Sequence, residues 1–161
     1  MAFTASAIFR EFEVMVLQAS ATGWTGLDSD TVKAALYNNT GTPDKDAAVG
    51  LTGYAAATSA WIVANEVTDA TNWVAGGRAL ASKTFTTPAT GVCMFDAADT
   101  AGGGNVTLAG VMGCLVYDDT ITGGTVADQG ACFNYFGGSQ SVTAGQFTVI
   151  WSASGVLRTT F

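Results

Sequence analysis

The sequence contains no histidine. That gap removes the Ser-His and Cys-His nucleophile pairs and the commonest zinc ligand together, so hydrolysis by those routes is excluded. Positive charge is nearly as scarce. Arg10, Lys33, Lys45, Arg78, Lys83 and Arg158 are the whole basic set, no two adjacent, against 13 acidic residues and a net charge of −7. Phosphate binding needs clustered cations, and nucleic acid is therefore not expected as a direct partner. Cysteine is limited to Cys93, Cys114 and Cys132, an odd number without CxxC spacing, each inside an apolar, strand-like run. They read as reduced core residues of a protein assembled in a cytosol, not as disulfide partners or metal ligands. The N-terminal stretch MAFTASAIFREFEVMVLQA carries three charges within its apolar run. It fits neither a cleavable signal nor a membrane span, so no targeting signal and no membrane association are expected. Export would follow from lysis or from incorporation into an assembly.

What is present points to strands. Hydrophobic residues make up 48% of the chain against 12% charged, and 20 glycines imply many turns. At 161 residues the chain reads as one domain, 1–161, with residues 1–20 as a helical segment packing on it, and it is long enough to bury a core without staples. The expected fold is mostly β: an antiparallel two-sheet β-sandwich, or a flattened barrel, with an N-terminal helix and one short internal helix.

The helix is expected over Thr4 to Ala19. There Ile8, Phe12, Met15 and Ala19 recur at helical spacing, Thr4 is placed to cap, and Val14, Val16 and Phe9 widen the apolar surface enough to need cover on more than one side. A strand over Glu13 to Leu17 is the alternative. Thr31 to Tyr37 reads as a strand ended by the turn cluster at Asn38 to Asp44, and the Ala-rich run around Ala55 to Ala64 as the internal helix, with Trp61 and Ile62 turned inward. Gly76-Gly77 frees the backbone before a strand over Arg78 to Thr87. Further strands follow at Val92 to Ala97, Asn105 to Leu108 and Ala131 to Phe136, the last stopped by Gly137-Gly138. Val111 to Tyr117, apolar on both faces, reads as a central strand. Gly145 to Thr160 reads as a closing hairpin: Phe147, Val149 and Trp151 share one face, Gln146, Thr148 and Ser152 the other, and Ser154-Gly155 makes the turn.

Chemistry has few anchors. Asp96 with Asp99, and Asp118 with Asp119, are the carboxylate pairs that could flank a glycosidic bond or hold Ca²⁺, but each falls at a strand end and none has DxDxDG spacing, so solvated strand terminators are the favoured reading. Gly102-Gly103-Gly104 lacks a following Lys-Ser/Thr and reads as a turn. No catalytic, cofactor or metal residue is assigned. Trp24, Tyr54, Trp61 and Trp73 could form an aromatic platform; Trp61 and Trp151 suit the core, whereas Trp24 and Trp73, flanked by loop residues, suit an interface.

Three pieces of sequence carry a family resemblance: DSDTVKAALYNN (28–39), NEVTDATNWVAGGRAL (65–80), and the run from MFDAADT (94–100) through LAGVMGCLVYDD (108–119) to GQFTVIWSASGVLRTT. Together they resemble a group of small structural proteins of tailed bacteriophages, commonly found near the head genes. The Ala-rich stretch at 55–60 and the triple glycine depart from that pattern. The resemblance implies a non-enzymatic capsid decoration or cement protein in the virion, made in the host cytoplasm and bound to the outside of the major capsid protein lattice. It also implies a homotrimer or other small cyclic oligomer, with contacts from the N-terminal segment (Phe3, Phe9) and the loop aromatics (Trp24, Trp73). The alternatives are a tail or head-tail component and, in a different class, a carbohydrate-binding module using Trp24 or Trp73.

Overall fold

The computed structural model describes residues 3–161. Its frame is set by the run that is apolar on both faces. Val106–Asp118 (β7) lies between Val32–Tyr37 (β2) and Gly130–Gly145 (β8), antiparallel to both, and from Cys114 to Asp118 every residue is buried. A strand covered on two faces cannot alternate, which is why VMGCLVY lacks period two. Gly113 sits here of necessity: a Cβ would lie 2.7 Å from the Phe3 ring and would meet the Asn134 carbonyl oxygen. Short strands Ala7–Ile8 (β1) and Arg78–Ala79 (β3) flank this group, giving a five-stranded sheet of order β1-β8-β7-β2-β3. Gly77 lets β3 approach β2, since a Cβ there would stand 2.6 Å from the Ala35 Cα.

Thr84–Thr86 (β4), Val92–Asp96 (β5) and Leu157–Thr160 (β10) form a second antiparallel sheet of order β10-β5-β4. Thr100–Ala101 (β6) and Thr148–Val149 (β9) form a two-stranded ribbon. Strand accounts for 40% of the chain and helix for 9%, so the mostly β expectation holds. The flattened barrel does not: among the described residues the strand orders are open, and the two-residue edges β1 and β3 are too short to close the larger sheet.

One α-helix forms, Arg10–Gln18 (α1). It begins later than Thr4 because Ala7 and Ile8 pair with Phe133 and Cys132, and the Phe9 amide donates to the Ala131 carbonyl at 3.0 Å. Phe9 takes the N-cap position without a side-chain acceptor, while Glu11 and Glu13 in the first turn suit the helix dipole. Phe12 and Met15 are buried, and Ala19 ends the helix in the left-handed region. The strand alternative for Glu13 to Leu17 is thereby set aside.

The internal α-helix is replaced by two 3-10 turns, Val49–Leu51 and Val63–Asn65. Ala55 and Thr58 both take positive φ, and the Ala55 amide bonds back to the Trp61 carbonyl. Alanine propensity, worth about 1 kcal/mol over glycine per residue, loses to the burial of one large ring. Trp61 is 1% exposed, packed edge-on against Phe3, Phe9 and Tyr37, and the Tyr37 hydroxyl donates to the Trp61 carbonyl at 2.7 Å. Ile62 is half-buried.

Other boundaries move for similar reasons. Arg78 to Thr87 splits into β3 and β4 because buried Leu80 bonds to Val32 and Ser82 turns at positive φ. The strands expected at Asn105 to Leu108 and Val111 to Tyr117 are one bulged strand, and β8 runs through Gly137-Gly138 instead of stopping there. The closing hairpin also comes apart: β9 pairs with β6 and β10 with β5, leaving only a Ser152–Gly155 bridge between the two arms. Its alternation is intact, with Val149 buried, Phe147 and Trp151 half-buried, and Gln146, Thr148 and Ser152 exposed. One cluster of buried residues joins the sheets, from Phe9 and Trp61 through Leu115 to Phe95 and Val149.

Candidate functional site

Most of the aromatic residues expected at an interface lie in the core. Phe3 is 3% exposed and Phe9 fully buried, each with its ring centroid 5.8 Å from that of Trp61. Trp73 is also fully buried, edge-on to Phe147 at 5.7 Å, because its loop folds back: Asp69 accepts the amides of Thr71 and Asn72, and its own amide donates to the Trp73 carbonyl. Trp24 is half-buried, with its indole nitrogen buried and unpartnered. Loop composition placed the two tryptophans outside and the family resemblance the two phenylalanines, but a large ring gains more by turning inward than by facing water. The structure therefore corrects the expectation that Phe3, Phe9 and Trp73 are surface contacts.

The exposed apolar surface lies elsewhere. A groove of about 340 Å³ runs between α1 and the three-stranded sheet. Phe12, Val16 and Leu17 form its helix side, Phe85 and Leu157 its sheet side, and Leu27 part of its wall. Among the described residues Glu13 is its only charged lining residue. Leu17 is 87% exposed and the terminal Phe161, also in the lining, 92%. The helix that needed cover on more than one side is covered by its own chain on one side alone. The sheet beside it ends in β4, whose three residues are all exposed and whose outer edge has no strand partner. Phe85 and Phe161 carried no periodic signal, since each stands alone among polar neighbours; the excess apolar width of the helix was read from Val14, Val16 and Phe9, and Leu17 was missed.

A second feature concerns charge. Asp118 closes β7 fully buried, with its carboxyl electrostatically coupled to that of the 4%-exposed Asp30. Asp30 accepts the Thr25 amide at 2.8 Å, the Gly26 amide at 3.1 Å and the Thr25 hydroxyl. Burial alone would raise the Asp30 pKa, but these donors outweigh it and hold Asp30 below the usual carboxylate range. Burial pushes Asp118 up to about 7, against the Thr120 amide and with the Asp30 charge adding to the rise. Asp118 is thus no solvated strand terminator. Its neighbour Asp119 is one, half-exposed and paired with Lys33 at 2.8 Å. Asp96 accepts the amide of its neighbour Ala97, while Asp99 accepts the Trp151 amide at 3.0 Å across 52 residues of chain, a structural tie to the segment after β9.

Trp73 Nε1 and Gln129 Oε1 are also buried without a partner, whereas other buried polar groups are satisfied within the fold. Glu66, raised by burial, accepts the Tyr54 hydroxyl and the Gly76 amide, while Tyr54 stacks on Tyr117 at 4.8 Å. Burial raises the thiols of Cys114 and Cys132, so neither is a poised nucleophile. Gly102 to Gly104 turns against Asn72, with the Gly103 amide on the Asn72 carbonyl. No helix among the described residues is long and apolar enough to cross a membrane. Comparison with family models, curated proteins and solved structures finds no match to this chain.

Proposed function

We propose that the chain is a structural protein of a phage particle, a capsid decoration protein that docks its α1 and β4 face on the major-capsid lattice. The carrying observation is the uncovered apolar groove with Leu17, Phe85 and Phe161 at its rim. The sequence resemblance points to the same class. In this reading the five-stranded and three-stranded sheets are the two layers of one sandwich, a view supported by the single cluster that joins them.

Magnitudes favour an array over a solitary contact. Full burial of a Leu or Phe side chain contributes about 1.5–3 kcal/mol, whereas association costs on the order of 4–15 kcal/mol in lost freedom. Three such residues supply about 4.5–9 kcal/mol, which falls within that cost and does not exceed it. Many copies on a repeating surface, or a small cyclic oligomer engaging several subunits at once, make the second and later contacts effectively intramolecular. A virion protein of this kind works through contact multiplied by copy number, without turnover.

The test is saturable binding to purified expanded shells. Binding at lattice stoichiometry by the native chain, with loss in Leu17→Glu, supports decoration. A few copies per virion supports the tail alternative and contradicts decoration.

A further inference from the structure

The buried carboxyl pair has a geometry that the docking reading does not use. Asp118 Oδ1 accepts the Thr120 amide at 2.9 Å, while Oδ2 is buried and has no donor. The donors that hold Asp30 come from its own loop, through Thr25 and Gly26. Two coupled carboxylates inside a protein cannot both stay ionised at low cost, and among the described residues neither has an ion-pair partner to offset the other. A proton on Asp118 Oδ2 resolves the conflict, since it turns the orphan acceptor into a donor to Asp30. Like-charged pairs of this sort share one proton and titrate as a unit.

Other charges nearby do not replace that proton. Lys83 directs its ammonium at the Asp30 carbonyl oxygen, not at either carboxyl. Lys33 is engaged by Asp119, and Asp128 on the returning loop adds negative charge facing that ion pair. The backbone around the pair joins two loops to the strand end: the Thr31 amide donates to the Thr120 hydroxyl at 2.8 Å, and the Asp119 amide to the Thr31 carbonyl at 2.9 Å. The Asp30 loop also carries Leu27, 2% exposed, which lines the apolar groove.

We infer that Asp30 and Asp118 form a proton-dependent latch: one shared proton holds the 24–31 loop, and with it the Leu27 wall of the groove, against the end of β7, and its loss releases that wall. The latch stands on the orphaned Asp118 oxygen, the loop donors that hold Asp30 and the backbone bonds that bring the loop to the end of β7; its consequence for docking rests on the reading given above.

The sign follows from linkage. In the latched state Asp118 keeps its proton up to about pH 7, whereas with the loop released, and its carboxyl open to water at the end of β7, it titrates toward the ordinary carboxylate value of about 3.9. Release therefore becomes easier as pH rises between those limits, by at most about tenfold per pH unit, and then levels off. Hydrogen exchange of the Thr25 and Gly26 amides in the isolated chain reads this directly. Their protection, corrected for intrinsic exchange, is expected to fall between about pH 4 and 7. In Asp118→Asn the amide donates to Asp30 without titrating, so protection becomes flat with pH at the acid-side level. Carboxyl-carbon NMR of the native chain gives a second readout, with the pair titrating in two separated steps, one near neutrality. Protection in Asp118→Asn that keeps the native pH slope, or both carboxyls titrating below pH 5, overturns the latch. Neither readout involves shells, so its failure leaves docking untouched, and a failure to dock leaves the latch untouched.

Discussion

Two regions of this molecule use the same residue types and treat them in opposite ways. Around Trp61, the rings of Phe3, Phe9, Tyr37 and Phe133 meet edge to face or tilted, and all are at most 5% exposed. Around the groove, Leu17, Phe85 and Phe161 are exposed by 87%, 45% and 92%. The first region is closed by its own chain, and its residues stabilise the fold. The second is left open, and in the proposed reading a partner covers it. Substitutions should therefore separate into those that damage the fold and those that damage docking.

The largest effect is expected at the centre of the closed region. Trp61→Ala should destabilise the protein by about 3–5 kcal/mol, seen as a lower urea midpoint, because four rings lose their common neighbour. Next comes Gly77→Ala, where positive φ and the close approach to β2 should cost about 1–3 kcal/mol in the same assay. Between the regions lies the Asp118 carboxyl. Its raised pKa means the folded chain binds a proton that the unfolded chain releases, so stability should decline as pH rises from about 4 to about 7, with a slope of up to one proton. Burial raises Glu66 and Asp128 in the same direction, so the difference between native and Asp118→Asn isolates the part due to Asp118. The smallest effect on stability is expected in the open region: Leu17→Gln should change unfolding by no more than about 0.5 kcal/mol while removing shell binding. A Leu17→Gln loss as large as that of Trp61→Ala would erase the distinction between the two regions.

Legibility in the sequence follows the same divide. The two-faced apolar run Val111 to Tyr117 marked the central strand, and the period-two pattern of Phe147, Val149 and Trp151 marked an inner face, because burial writes itself directly into residue type. Pairing partners were not legible. Nothing local in GQFTVIWSASGVLRTT shows that β9 prefers β6 and β10 prefers β5, since register is a long-range choice. The Ala-rich stretch misled for the same reason, its propensity overruled by Trp61. At the site, the apolar width of the helix was visible in Val14, Val16 and Phe9, and it already called for a second cover, though Leu17 was not singled out. The sheet side of the groove and the Asp30 partner of Asp118 were not visible, because folding alone brings those distant segments together.

The central claim is that the open face docks on a shell. The most direct measurement is co-sedimentation of the purified chain with expanded empty shells, comparing native protein with a Leu17→Glu, Phe85→Ser variant whose unfolding matches the native. Saturable binding by the native chain at lattice stoichiometry, lost in the variant, is the predicted result. Equal binding by both, or binding by neither, would contradict it.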